Sequence, residues 1–228
     1  MKIATLHCWN LNFEEAVALQ RRLADRIDKT SPLNDFQVVA GADISYNRFS
    51  SKIYAGVVVL RNGTVIEKQG MVTEATFPYR TGLLSFREGP AVLQLFERIQ
   101  AEPDLIMLDG AGYAHPRRFG LACHLGLWLD RPCIGCAKSR LIGDYDEPEP
   151  QRGSTSPLMH KGEMIGSVVR TKAGVKPLFV SIGHKIDMNS TVRAVLALDG
   201  GYRVPEPTRL AHIFVNELRE LQNQNSEV

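Results

Sequence analysis

Residues 36–47 read Phe36-Gln-Val-Val-Ala-Gly-Ala-Asp43-Ile-Ser-Tyr-Asn47, and residues 104–110 read Asp104-Leu-Ile-Met-Leu-Asp109-Gly110. Each is a short apolar run bounded by turn residues, which reads as a buried strand. Each also carries a carboxylate inside or at the tip of that run. A carboxylate there is costly to desolvate unless something pairs with it. A divalent cation is a natural partner, because Mg2+ takes one or two carboxylates and completes its shell with water and phosphate oxygens. An Asp at a strand end also caps turns, so either residue alone carries little weight. If the two strands are neighbours in one sheet, both carboxylates point to one spot.

The flanking sequence supplies the rest of such a sheet. Residues 52–60 and 64–73 read as two further strands around the tight turn Arg61-Asn62-Gly63, and with 36–47 they form an antiparallel meander. Before them, Phe13, Ala16, Val17, Leu19, Leu23 and Ile27 recur at helical spacing within 12–28. After them the reading is a loop, a helix over 89–101, the strand ending at Asp109, a helix over 115–129, and a short apolar strand at 132–136. Residues 144–156 are rich in acid, Pro and Gly and read as a surface loop. Residues 156–170 read as a hairpin turning at Lys161-Gly162, 178–182 as a strand, and 189–198 and 207–221 as helices. The expectation is an α/β fold: a mixed sheet, with an antiparallel meander followed by parallel strands, flanked by helices. A single domain over 1–228 is expected.

Composition narrows the class without deciding it. The chain has 228 residues, 44% hydrophobic and 23% charged, which is enough to bury one sizeable core. Its formal net charge of +2 permits nucleic-acid binding but does not argue for it. No window has the roughly 18 uninterrupted apolar residues of a membrane span, and Met1 to Trp9 lacks the apolar run of a secretory leader. A cytoplasmic monomer without a membrane partner is expected. Cys133 and Cys136 form one C-x-x-C, but no second pair stands at zinc-ligand spacing. They are expected to be buried, reduced thiols.

Other candidate residues sit near strand ends, where ligands collect in α/β sheets. Glu88, read here as lying at the start of a helix, is favoured there by the dipole and is also a candidate third acid near a cation. His115 and Lys138 each follow a strand and its turn. Lys138 could neutralise developing phosphate charge, and His115 could contact phosphate or orient water. Arg117 and Arg118 suit phosphate oxygens, although a surface arginine is usually just solvated. Tyr79 stands in the loop Phe77-Pro-Tyr-Arg-Thr-Gly-Leu-Leu-Ser-Phe-Arg-Glu88. It could wedge into a base stack, but composition alone favours a ring that covers the core.

These pieces, taken in order, resemble the endonuclease V family, the deoxyinosine-specific repair nucleases. The matching stretches are AGADIS at 40–45, PYRTGLLSFRE at 78–88, PDLIMLDGAGYAHPRRFGLACHLGL at 103–127, PCIGCAKSRL at 132–141, PLFVSIGHKID at 177–187 and GYRVPEPTRLAH at 201–212. The resemblance implies an RNase H-like fold and a Mg2+-dependent endonuclease, with Mn2+ as a substitute. It implies recognition of hypoxanthine in DNA, or of inosine in RNA, and cutting at the second phosphodiester bond on the 3′ side, leaving 3′-hydroxyl and 5′-phosphate ends. Asp43 and Asp109 would then be the metal ligands, with Glu88 supporting metal or water. His115, Lys138 and His212 would be catalytic or phosphate contacts, with Arg118 on a phosphate. Tyr79 would be the wedge, and Gly82, Leu84, Gly110 and Gly112 would line the base pocket. Two positions depart from the family pattern. Thr81 replaces the second Pro of Pro-Tyr-x-Pro, which loosens the wedge loop. Ala111 stands where a polar or His residue is frequent.

Two rival readings use the same residues. A structure-specific nuclease of the same fold, acting on branched DNA or RNA–DNA hybrids, would need only the strand-end acids. A damage-binding protein that does not cut would be expected to lack an acid, yet Asp43, Glu88 and Asp109 are all present.

Overall fold

The computed structural model of the chain describes residues 1, 3–47 and 50–226. Its elements are α1 (Phe13–Ala24), β1 (Val38–Tyr46), β2 (Lys52–Arg61), β3 (Thr64–Glu74), α2 (Leu84–Arg98), β4 (Leu105–Leu108), α3 (Leu121–Leu129), β5 (Cys133–Ala137), β6 (Thr155–His160), β7 (Glu163–Val169), β8 (Leu178–His184), α4 (Met188–Ala197) and α5 (Glu206–Ser226). The eight strands form one mixed sheet in the order β3-β2-β1-β4-β5-β8-β7-β6. β1, β2 and β3 are the antiparallel meander. β4 lies parallel to β1, and β5 parallel to β4. This is the RNase H-like arrangement. The antiparallel strands β8, β7 and β6 then extend it.

Side-chain parity divides the core into two layers. Ala40, Ala42, Ile106 and Leu108 pack toward α2 and α3 on one face. Val39, Leu105, Met107 and Ile134 pack toward α4 on the other. Alternation along β1 places Asp43 on the same face as Val39 and Gly41. Over that part of the sheet lies α5, which seats against a row of glycines. A Cβ on Gly41 would come within 2.0 Å of the Pro207 carbonyl oxygen, and one on Gly56 within 2.6 Å of Val215. A Cβ on Gly70 would come within 2.6 Å of Leu218. Gly56 pairs with Asp43 on one side and Gly70 on the other. The missing side chains let α5 lie close to the strand that carries Asp43.

Two helix boundaries differ from the sequence reading. α2 begins at Leu84 rather than Gly89, so Pro90 lies inside the helix and Glu88 is its fifth residue. Gly89-Pro90 resembles a helix start, since Pro suits the first helical position. Here burial of Ser85, Phe86 and Glu88 carries the helix one turn earlier. α3 begins at Leu121 rather than His115. Arg118 adopts φ 57°, in the left-handed region, and breaks any helix through 115–120.

The cysteine expectation agrees with the structure. Cys123, Cys133 and Cys136 are free and buried, and burial pushes all three thiols up. Cys133 and Cys136 are three residues apart on a strand, so they face opposite layers. No helix among the described residues is long and apolar enough to cross a membrane.

Candidate active site

Register brings the two strand-end acids together. The last β1–β4 pair is Ala42 with Leu108, and Asp43 and Asp109 stand one step beyond it. Both line an open cleft of about 660 Å3, along with Ser45, Tyr46, Lys138 and His212. Asp43, Asp109 and His212 each offer a ligand atom, all within 4.8 Å of one another. Lys138, just past β5, places Nζ 2.5 Å from Asp109 Oδ2.

His212 reaches the cleft from α5, and a polar chain sets its orientation. The Ser45 hydroxyl donates to Asn216 Oδ1 at 2.9 Å, and Asn216 Nδ2 donates to His212 Nε2 at 3.2 Å. His212 Nδ1 then donates to Asp43 Oδ2 at 2.7 Å. The other Asp43 oxygen accepts from the Ile44 N–H at 2.8 Å. Burial and the nearby Asp109 raise the Asp43 pKa, opposed by the His212 bond. Glu88 is more extreme: burial, then Asp43 and Asp109, hold it well above the carboxylate range. Asp43 and Asp109, two carboxyls that repel each other beside one lysine, suit a hard divalent cation. Because His212 Nδ1 is engaged with Asp43, the oxygens of Asp43 and Asp109 carry that fit.

Several other expected residues gather at a second, separate cleft. It has a volume of about 100 Å3 and is mostly apolar. Gly82 and Leu84 line it, with Tyr79, Ala111, Leu121 and Leu141. His115 lines it too, rather than the acidic cleft. Its ring is locked: Nε2 donates to the Gly82 carbonyl at 2.9 Å, and Nδ1 accepts the Arg117 N–H at 3.1 Å. Burial, with help from Arg117, lowers its pKa to about 4, so the imidazole is neutral at pH 7. His115 is therefore placed to hold the pocket loop.

The Gly82 carbonyl takes two further donors, Gln20 Nε2 at 3.0 Å and Arg117 Nη2 at 2.7 Å. Gly82 has φ +78°, and a Cβ there would come within 2.9 Å of the Arg117 guanidinium. This clamp steadies a loop that has Thr81 where the second Pro of the resemblance would stand.

Two expected placements change. Gly112 does not line the pocket. Its N–H donates to Ser181 Oγ, and a Cβ would come within 2.1 Å of the Ile182 carbonyl oxygen, so it is a packing glycine against β8. Gly110, at φ +151°, lies beside the pocket residue Leu121. Arg118 is committed inside the protein. It donates to Glu163 at 2.7 Å, to the His115 carbonyl at 3.1 Å and to His160 at 3.1 Å. Its charge is already paired, which argues against the expected phosphate contact.

Tyr79 is 61% exposed at the pocket rim, which overturns its reading as a cover for the core. The sequence reading missed Gln20, Leu121, Leu141, Tyr46 and Asn216. Gln20 alone had a signal, as a polar residue on the stripe of Ala16, Leu19 and Leu23 that α1 buries.

An RNase H-like sheet that collects acids where parallel strands end, beside a separate small apolar pocket, places the chain in the nuclease class. Known proteins resolve the class further. A family model for endonuclease V matches residues 21–213, and the chain belongs to that family. It is 46% identical over 220 residues to an endonuclease V of Dehalococcoides mccartyi, covering 96% of this chain and 99% of that one. The endonuclease V structure from Streptomyces avermitilis superposes with a TM-score of 0.89 at 39% identity, covering 94% and 96% of the two chains. That of Ciona intestinalis, solved with a 24mer DNA containing an inosine followed by a ribo-adenosine, superposes with a TM-score of 0.79 at 27% identity, covering 91% and 98%.

Proposed function

We propose that the chain is a Mg2+-dependent endonuclease, with Mn2+ as a substitute, that takes hypoxanthine into the small pocket and cuts the second phosphodiester bond on its 3′ side. The observation that carries this reading is the separation of the two clefts. One gathers the two aspartates, a lysine and a histidine, which suit a cation and a phosphate, and the other is a small, mostly apolar pocket that suits a flat base.

Hypoxanthine cannot be read while stacked in a duplex, so it must be flipped out. A mispaired base costs less to extrude, which favours the lesion. Tyr79 at the pocket rim fills the vacated stack. Gly82 and Leu84 line the pocket, with Gly110 behind its wall at Leu121, and glycine allows the base edge to approach closely. His115, neutral and clamped to Gly82, keeps the loop in place.

At the other cleft Asp43 and Asp109 would hold the cation. When bound, it supplies Lewis-acid polarisation of the phosphate and activation of water. His212 orients the Asp43 carboxylate through Nδ1–H. Lys138 supplies positive charge near the phosphate oxygens as negative charge builds. Glu88 supports water beside the two aspartates.

The substrate is DNA carrying deaminated bases, with inosine-containing RNA as a second candidate. The protein works as a single-domain monomer in the cytoplasm. The test is a cutting assay on hypoxanthine duplexes, inosine RNA, branched DNA and RNA–DNA hybrids, with Mg2+ or with chelator. Cutting restricted to hypoxanthine or inosine substrates in Mg2+ supports the reading. Preference for branches or hybrids would replace it with the structure-specific one, and tight lesion binding without cutting would leave a binding protein.

A further inference from the structure

A third depression lies between the two clefts. It is a groove of about 710 Å3, lined by Tyr46, Ser50, Ser51, Pro78, Tyr79 and Arg87. Tyr79 is also a wall of the lesion pocket, and Tyr46 is also a wall of the acidic cleft. A strand that leaves the pocket past Tyr79 and enters the acidic cleft past Tyr46 must cross this groove.

The groove is equipped for a flat, polar-edged ring. Tyr46 is 37% exposed and Tyr79 61%, so aromatic faces are available at both ends. Tyr46 and Tyr79 both stand on the groove wall. Between the rings lies Arg87, buried within α2. It donates to the Phe77 and Ser50 carbonyls at 3.0 Å each, and its guanidinium carbon sits 5.6 Å from the Tyr46 ring centroid. Its Nε is buried without a hydrogen-bond partner, although buried donors are nearly always satisfied.

We propose that this groove is a second nucleobase subsite, and that it takes the base immediately 3′ to the lesion, stacked on Tyr46. This rests on the proposed reading of the two clefts. Cutting at the second bond 3′ to the lesion leaves one nucleotide between the pocket and the scissile phosphate, and the groove is the space for its base. Stacking on an aromatic face accepts any base, so the subsite secures the strand without adding a sequence requirement. The opposite-strand base is the competing occupant, but the groove's continuity with the acidic cleft through Tyr46 favours the strand that is cut.

Single-turnover cutting in Mg2+, measured across enzyme concentrations, separates the half-saturating concentration from the limiting rate. Four duplexes are compared. One has hypoxanthine with normal neighbours, one a base-less unit immediately 3′ to it, one a base-less unit opposite it, and one adenine in its place. The wild type should need roughly tenfold more enzyme on the 3′ base-less duplex, the scale of one base–aromatic stack. It should be indifferent to the opposite base-less unit. Tyr46→Ala should show the same roughly tenfold loss on the normal duplex and no further loss on the 3′ base-less one. Tyr46→Phe keeps the ring and should restore the dependence on the 3′ base, with a roughly tenfold difference between the normal and the 3′ base-less duplex.

Three results would overturn the subsite: wild-type indifference to the 3′ base, a loss on the opposite-strand duplex instead, or Tyr46→Ala and 3′ base-less losses that multiply. Equal cutting of the adenine duplex would sink the lesion reading by itself. The base-less series still reports on the groove separately.

Discussion

At the scale of single residues, burial moves Glu88 and His115 in opposite directions. It raises the Glu88 carboxyl well above its ordinary 4.5 and lowers the His115 imidazole to about 4. Both shifts favour the neutral form, as desolvation does. A carboxyl whose folded pKa is raised stabilises the fold fully below its unfolded pKa. That stability is lost as pH rises through the folded value. In chelator, Glu88→Gln should therefore be more stable than the wild type at pH 7–8. The difference should shrink toward pH 4. Urea unfolding of both proteins across pH checks this, and parallel curves would show that Glu88 carries no such strain. Tyr79 is a simpler case, because 61% of it is exposed. Tyr79→Ala should change stability by no more than about 0.5 kcal/mol. It should weaken cutting of hypoxanthine duplexes by the equivalent of about 1–3 kcal/mol of lost stacking. A melting curve and a rate on one sample check this, and unchanged cutting by the variant would contradict the wedge.

At the scale of elements, the contact between α5 and the glycine row sets the geometry of the acidic cleft. Gly41→Ala would drive a Cβ to within 2.0 Å of the Pro207 carbonyl oxygen, a backbone atom that cannot rotate away. Overpacking of this kind costs about 1–3 kcal/mol or more. The variant should lose that stability and also lose cutting, because a displaced α5 carries His212 away from Asp43. Unaltered activity with lowered stability would show that the register of α5 does not matter to the site.

The meander, the Asp43 and Asp109 strands and the 156–170 hairpin were legible because apolar runs bounded by turn residues mark them directly. The start of α2 was not, because Gly89-Pro90 imitates a helix start while the true first turn is held by tertiary burial. The start of α3 was also obscured, since the left-handed Arg118 that delays it is neither Gly nor Asn.

At the scale of the whole molecule, sheet order joins residues that are far apart in the chain. Asp43, Asp109 and Lys138 were readable as strand-end groups, and the parallel order β1-β4-β5 brings them together. The division of labour between His115 and His212 was not readable. Both looked like site histidines in sequence. Only the packing of α5, and the clamp of Gln20, His115 and Arg117 on Gly82, separates one from the other. Tyr46 escaped notice for a related reason. Its position at the end of β1 gains meaning only when the loop carrying Tyr79 comes to lie across from it.

On the proposed reading, base recognition and strand cutting occupy two clefts with one nucleotide between them. This is tested most directly by mapping the cut, at single-nucleotide resolution, on a duplex with one hypoxanthine. In Mg2+ there should be one product, ending at the second phosphodiester bond 3′ to the lesion with a 3′-hydroxyl. No product should form in chelator, on the adenine control, or with folded Asp43→Ala or Asp109→Ala protein. A cut at the bond adjoining the lesion, cuts scattered along the strand, or near wild-type cutting by either aspartate variant would contradict it.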